Sequence, residues 1–249
     1  MPKIYLSPST QEYNTYYSGQ YTEEQAMNLL ADLLEPYLFA NGIEFVRNDP
    51  SMTAASSIRA SNAGKYDFHL ALHSNASPEK LEGQLRGVQP YYFPYSYNGE
   101  RMADILAANF REIYPEPSLV RTVPTTSLGE VDRTRAPAVL LEIGYHDNPE
   151  DEQWLLDNLS QIARTIAISL TEYFGLPFIE PTIVNKGQVV TQTSGLNIRN
   201  RPSMSGTVIT SAPRGAYLDI YGETQDGWLS VGYGNILGYV DGNYVEIVE

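Results

Sequence analysis

The chain reads as an α/β protein, a largely parallel sheet with helices on both faces, followed by a small all-β unit. Three observations predict this. Strand-like and helical segments alternate from residue 1 to about 175, the pattern of a parallel sheet with both faces covered. Pro177 and Pro181 then interrupt it in a stretch suited to a linker. After residue 187 come short runs of alternating polarity, closely spaced glycines and no helical period, which mark a compact β unit. The expected organisation is a first domain over 1–176, a linker over 177–186 and a small all-β domain over 187–249.

The elements follow in order. KIYLS is the first strand. Thr22, followed three residues later by Gln25, forms a capping box that opens the first helix. IEFVRN is the next strand, residues 51–64 a helix, and YDFHLALH a strand apolar enough to be buried on both sides. VQPYYF, a helix through ERMADILAANFREIY, and the strand PAVLLE continue the alternation. Asn148 as cap, with Pro149 in first position, starts a long helix expected to run to Phe174. Its Leu155, Leu159, Ile162, Ile166, Leu170 and Phe174 share one face, the core face.

Composition narrows the classes of function. Thirty acidic residues against sixteen basic ones leave a net charge of −14, so capture of nucleic acid or anionic lipid by charge is not expected. No apolar run approaches the ~18 residues of a membrane span, and membrane insertion is not expected. MPKIYLSPS has none of the features of a signal peptide, so the export route of a protein acting outside the cell is open. The chain has no cysteine, which leaves His, Asp and Glu as plausible metal ligands.

In an open parallel sheet, reactive groups collect at the carboxyl ends of the strands. His73 closes one apolar strand and Glu142 closes another, while Glu24 falls in the first turn of the helix after the first strand. Each also has a structural explanation: strands end on polar residues, and acids favour helix N-termini. His69, four residues before His73 on one strand, is roughly 13 Å away at ~3.3 Å per residue and is expected in the core.

RASNAGKYD, HLALHSNA, GVQPYYF and PAVLLEIGYHDNPED, in this order, together resemble the zinc-dependent N-acetylmuramoyl-L-alanine amidases, which act on bacterial peptidoglycan. The resemblance covers about residues 3–175. It implies that His73 and Glu24 are zinc ligands and that Glu142 is the catalytic acid and base. Asn75, Arg133 and Arg135 are expected to contact substrate. The family's first ligand comes from an aspartate-proline-glycine-histidine turn, where this chain has Ser7, Pro8, Ser9 and Thr10. The third ligand is therefore open between His146, Glu12 and Tyr13. A binding protein that has lost the metal is the alternative to an enzyme.

The aromatic run PYYFPYSYN at residues 90–98 suits either a groove or strand packing. Residues 187–249, with Gly227 before Trp228 and the closing GYVDGNYV, resemble bacterial SH3-like domains that bind cell-wall polymers. Tyr217, Tyr221, Trp228 and Tyr239 are its candidate contact residues. Together these resemblances imply peptidoglycan as partner and the cell wall outside the membrane as the place of action. Host autolysin and phage lysin are both compatible with them.

Overall fold

The computed structural model describes residues 1–182, 184–234 and 236–248. The chain divides into two compact units. One comprises Lys3–Leu34 and Phe45–Tyr173, and the other Met1–Pro2, Glu35–Glu44 and Phe174–Glu249.

The first unit is built on a six-stranded sheet. Its strands are β1 (Lys3–Pro8), β2 (Glu44–Arg47), β3 (Phe68–Asn75), β4 (Val88–Tyr92), β5 (Val123–Pro124) and β6 (Ala138–Tyr145), in the order β2-β1-β3-β6-β4-β5. β1, β3 and β6 run parallel, and β4 runs antiparallel to β6. The helices are α1 (Glu23–Ala40), α2 (Ala54–Ala63), α3 (Tyr97–Arg111), the single turn α4 (Gly129–Asp132), α5 (Pro149–Asp157) and α6 (Leu159–Phe174).

Strand β3 is buried on both faces until Asn75, as a central parallel strand should be. Side chains alternate along it, so His69, Ala71 and His73 share one face. On that face Ala71 packs against Val131, Ala138 and Leu140. The other face joins Phe68, Leu70 and Leu72 to the apolar core.

The capping box forms as expected, with Thr22 N–H donating to Gln25 Oε1 and Gln25 N–H to Thr22 Oγ1. Asn148 accepts from the N–H groups of Glu150 and Asp151. The single long helix expected after it is two helices. Asn158 ends α5 by donating its own N–H and its side-chain amide to Trp154 O, a local bond of the kind that competes with helix continuation.

The barrel strands are β7 (Asn185–Val189), β8 (Leu196–Arg199), β9 (Val208–Ala212), β10 (Tyr217–Glu223), β11 (Trp228–Tyr233), β12 (Ile236–Asp241) and β13 (Val245–Val248). Their order is β13-β7-β10-β11-β12-β8-β9, with antiparallel pairing throughout the described register. Val189, Leu196, Ile198, Leu218, Ile220, Leu229, Val231 and Val240 fill the interior. Of the four aromatic candidates here, Tyr239 is fully buried and packs with Ile179, Tyr221 and Trp228 are partly buried against that cluster, and Tyr217 is exposed.

Candidate active site

The parallel register of β3 and β6 sets His73 directly beside Glu142. Two residues that lie far apart in sequence thus become neighbours at the carboxyl edge of the sheet. Antiparallel pairing with β4 places Gln89 on the other side of Glu142.

The imidazole of His73 is held from both sides. Its Nδ1 lies 2.7 Å from Glu23 Oε1, and its Nε2 lies 3.2 Å from Glu130 Oε2. The second oxygen of Glu130 accepts from Ser7 Oγ at 2.6 Å and lies 3.2 Å from His69 Nε2. One carboxylate therefore joins two histidines on one face of one strand. His69 is fully buried, as expected, and stacks on Tyr5 at 5.3 Å between ring centres.

Glu23 is steadied by Asn14, whose side-chain amide donates to Oε2 at 2.7 Å. The amide of Gln11 approaches the same place, with Nε2 3.5 Å from Glu23 Oε1 and 3.4 Å from His73 Nδ1. Its oxygen turns the other way and accepts from Tyr13 Oη and Asn14 Nδ2.

The electrostatics follow from burial and pairing. Burial disfavours a charged His73, but the hydrogen bonds to Glu130 and Glu23 outweigh it and hold the imidazole well above its ordinary pKa. Burial likewise opposes ionisation of Glu130, which its two histidine partners overcome, keeping it far below the carboxylate range. Glu23 is lowered in the same way, chiefly by its hydrogen bond to His73 against the effect of burial. Glu142 has no such help. Burial raises it to about 8, with Glu23 and Glu130 adding to the effect and His73 opposing it. Among the described residues its Oε2 is enclosed without a hydrogen-bond partner.

This donor set can be tested against the zinc that the sequence resemblance implies. A carboxylate and an imidazole are both good zinc ligands, and Glu23 and His73 present them 2.7 Å apart. Three carboxylates gathered about one imidazole, one of them with an orphan oxygen, leave negative charge that a divalent cation would offset. The third position is weaker. Among the described residues no group of three or more His, Cys, Asp or Glu is arranged to hold a metal, and Gln11 turns its NH2 toward the site. The residues fit a cation held by two protein ligands rather than three.

Several expected residues are placed elsewhere. Glu24, expected as a ligand, accepts from Asn28 Nδ2 at 3.2 Å one turn along α1. Glu23, one residue earlier and about 100° around the helix, takes the place at His73. Glu12 and Tyr13 are exposed. His146 is buried, stacked on Tyr16 at 5.5 Å, with Nδ1 2.9 Å from Ser74 O. Arg133 is solvated beside Asp132, and Arg135 donates to Asn62 O. Asn75 turns to Gln89 and caps Ala76 N–H. In the aromatic run Tyr95 and Tyr97 are exposed, and Tyr92 is buried.

A cleft of about 330 Å³ opens at this edge, lined by Ser7, Gln11, Asn48, His73, Glu130 and Glu142 with apolar walls from Met52, Ile58, Leu128 and Leu140. Glu130 and Asn48 were not among the sequence candidates. Glu130 sits in the turn α4, too short to show a period.

Comparison with known proteins agrees with this architecture. A family model described as N-acetylmuramoyl-L-alanine amidase matches residues 9–172, and one described as bacterial SH3 domain matches residues 194–246. No curated protein sequence matches the chain. Among solved structures, the catalytic domain of the amidase CwlV from Bacillus (Paenibacillus) polymyxa var. colistinus is 20% identical with TM-score 0.60, covering 70% of this chain and 99% of that one. The N-acetylmuramoyl-L-alanine amidase of Clostridium difficile 630 is 15% identical with TM-score 0.61, covering 70% and 97%. The catalytic domain of the CD27L endolysin, which targets Clostridia difficile, is 20% identical with TM-score 0.51, covering 69% and 98%. These likenesses show the fold, and the family model spans well over half of the sequence: the chain belongs to the N-acetylmuramoyl-L-alanine amidase family of enzymes and carries a bacterial SH3 domain at its C-terminal end.

Proposed function

We propose that the protein hydrolyses the amide bond between the lactyl group of N-acetylmuramic acid and the L-alanine of the peptidoglycan stem peptide. The observation that carries this reading is the Oε2 of Glu142, enclosed and without a partner among the described residues, beside the Glu23–His73 pair, inside the segment that matches the amidase family.

Glu23 and His73 are the residues that would hold zinc, which when bound supplies polarisation of the carbonyl and a lowered pKa for water. Glu130 fixes the His73 ring by accepting a hydrogen bond from Nε2–H, leaving Nδ1 for the side of the site where Glu23 stands. Glu142 accepts the proton of the attacking water and passes it to the departing nitrogen of L-alanine. Such acid-base catalysis typically contributes 10²–10⁴-fold. Asn75, Arg133 and Arg135 keep a place only at the margin, for longer substrates that extend beyond the cleft.

The SH3 domain is assigned to wall binding, which raises the concentration of the catalytic unit at an insoluble substrate. No described helix is long and apolar enough to cross a membrane, and action on the wall takes place outside the cell.

A second reading, wall binding without turnover, is favoured by Gln11, whose NH2 faces the position where a third ligand is wanted. Digestion of purified peptidoglycan in the presence of added zinc, followed by mass spectrometry, separates the two. Release of intact stem peptides with free L-alanine amino termini supports the amidase. Retention of the protein on the wall with no release supports the second reading. Products cut within the stem peptide contradict both.

A further inference from the structure

The cleft holds a second orphan acceptor. Asn48 follows β2, is 5% exposed, and lines the same cleft as Glu142. Its Nδ2 donates to Pro8 O and Ser57 Oγ, both at 3.0 Å, and approaches Ser7 Oγ at 3.3 Å. These bonds fix which end of the amide is which, because reversing it would set oxygen against the Pro8 carbonyl. The oxygen, Oδ1, has no partner among the described residues.

A buried acceptor without a donor costs stability, and two of them in one cleft, Asn48 Oδ1 and Glu142 Oε2, describe what the cleft lacks. Neither oxygen meets an N–H or O–H donor among the described residues. Beside the polar Ser9, Thr10, Thr53 and Ser57, the cleft is lined by apolar side chains from Pro8, Met52, Ala54, Ile58, Leu128 and Leu140. A ligand that combines N–H groups with small alkyl side chains complements this lining, and a backbone of alanyl type has both.

We infer that Asn48 is a substrate-positioning residue whose Oδ1 accepts a backbone N–H of the stem peptide and so holds the alanyl end against Glu142. The inference rests on the amidase reading above. Asn48 takes no part in bond-making: it selects for a peptide bearing a free N–H and sets where the scissile carbonyl lies.

The test uses muramyl dipeptide and two analogues, N-methylated at the L-alanine nitrogen or at the nitrogen that follows it. Binding to the full-length Glu142→Gln protein is measured by calorimetry, so that no ligand is consumed, with and without Asn48→Ala. Expected is a loss of roughly tenfold in affinity on N-methylation at one of the two positions, the size of one buried hydrogen bond, and no discrimination by the Asn48→Ala protein. The Asn48 side-chain NH2 resonances in a proton-nitrogen spectrum give a second measurement without that substitution. They shift with muramyl dipeptide and fail to shift with the discriminated analogue. Equal affinities for all three ligands, or equal discrimination with and without Asn48, overturn the role of Asn48 while leaving the amidase reading standing. Absence of binding by any of the ligands, with no peptide release from wall, overturns both.

Discussion

Replacing Glu130 by glutamine probes the frame that holds His73. The carboxylate meets Ser7 Oγ at 2.6 Å and His69 Nε2 and His73 Nε2 at 3.2 Å each, all of them buried. Glutamine keeps the volume and one acceptor oxygen, but its NH2 must then face either the Ser7–His69 side or His73, and donors meet donors. Removing one partner of a buried charged pair costs about 3–5 kcal/mol. With shape retained, the lower end, about 3 kcal/mol, is expected. At about 2–4 °C per kcal/mol for a unit of this size, thermal unfolding followed by circular dichroism at pH 6 should show the catalytic unit melting roughly 6–12 °C lower. Glu24→Gln, on the outer side of α1, is the control and should stay within about 0.5 kcal/mol. A Glu130→Gln protein as stable as the control would refute the bridging role of this carboxylate.

Further outcomes follow from the same geometry. Zinc affinity, read by competition with a chromophoric chelator, should fall at least about a hundredfold in Glu23→Gln and not change in Glu24→Gln, since even the outer partners of metal ligands are commonly worth 10–100-fold. Stability of the metal-free protein should decline as pH rises from 5 to 8. The folded pKa of Glu142, about 8, lies above its ordinary 4.5, so the unfolded chain releases that proton first, and the raised His73 acts in the same direction. The slope, measured by urea unfolding, should be smaller in Glu142→Gln, which should also lose turnover. Gly87 has φ +121° and a Cβ there would lie 2.4 Å from Leu119 O, whereas Gly19 has φ +73° and open space around it. Alanine should therefore cost about 1 kcal/mol at Gly19 and several times that at Gly87, where a backbone clash adds to the strain; chemical denaturation of both variants checks this.

Much of the fold was readable because its cause is periodic. The parallel strands carry apolar runs and the helices carry caps, and both were placed within a few residues, except where Asn158 divides α5 from α6. At the site, His73 and Glu142 were readable because each ends a core strand, and register then makes them neighbours. The choice between Glu23 and Glu24 could have been made from periodicity: Glu23 heads the buried stripe of Ala26, Met27, Leu30 and Leu34, and a carboxylate on that stripe points inward. Spacing to Asn28 pointed to Glu24 instead. Glu130 and Asn48 gave no such signal. A four-residue turn has no period, and an asparagine after a strand is indistinguishable in sequence from a loop residue until the three acceptors around its NH2 are brought together by folding.

The convergence of Glu23 and His73 on one cation beside Glu142 is tested most directly by anomalous diffraction at the zinc edge from crystals grown with zinc. The expected result is an ion bound by Glu23 and His73. A map at saturating zinc with an ion elsewhere, or with none at this edge of the sheet, would contradict it.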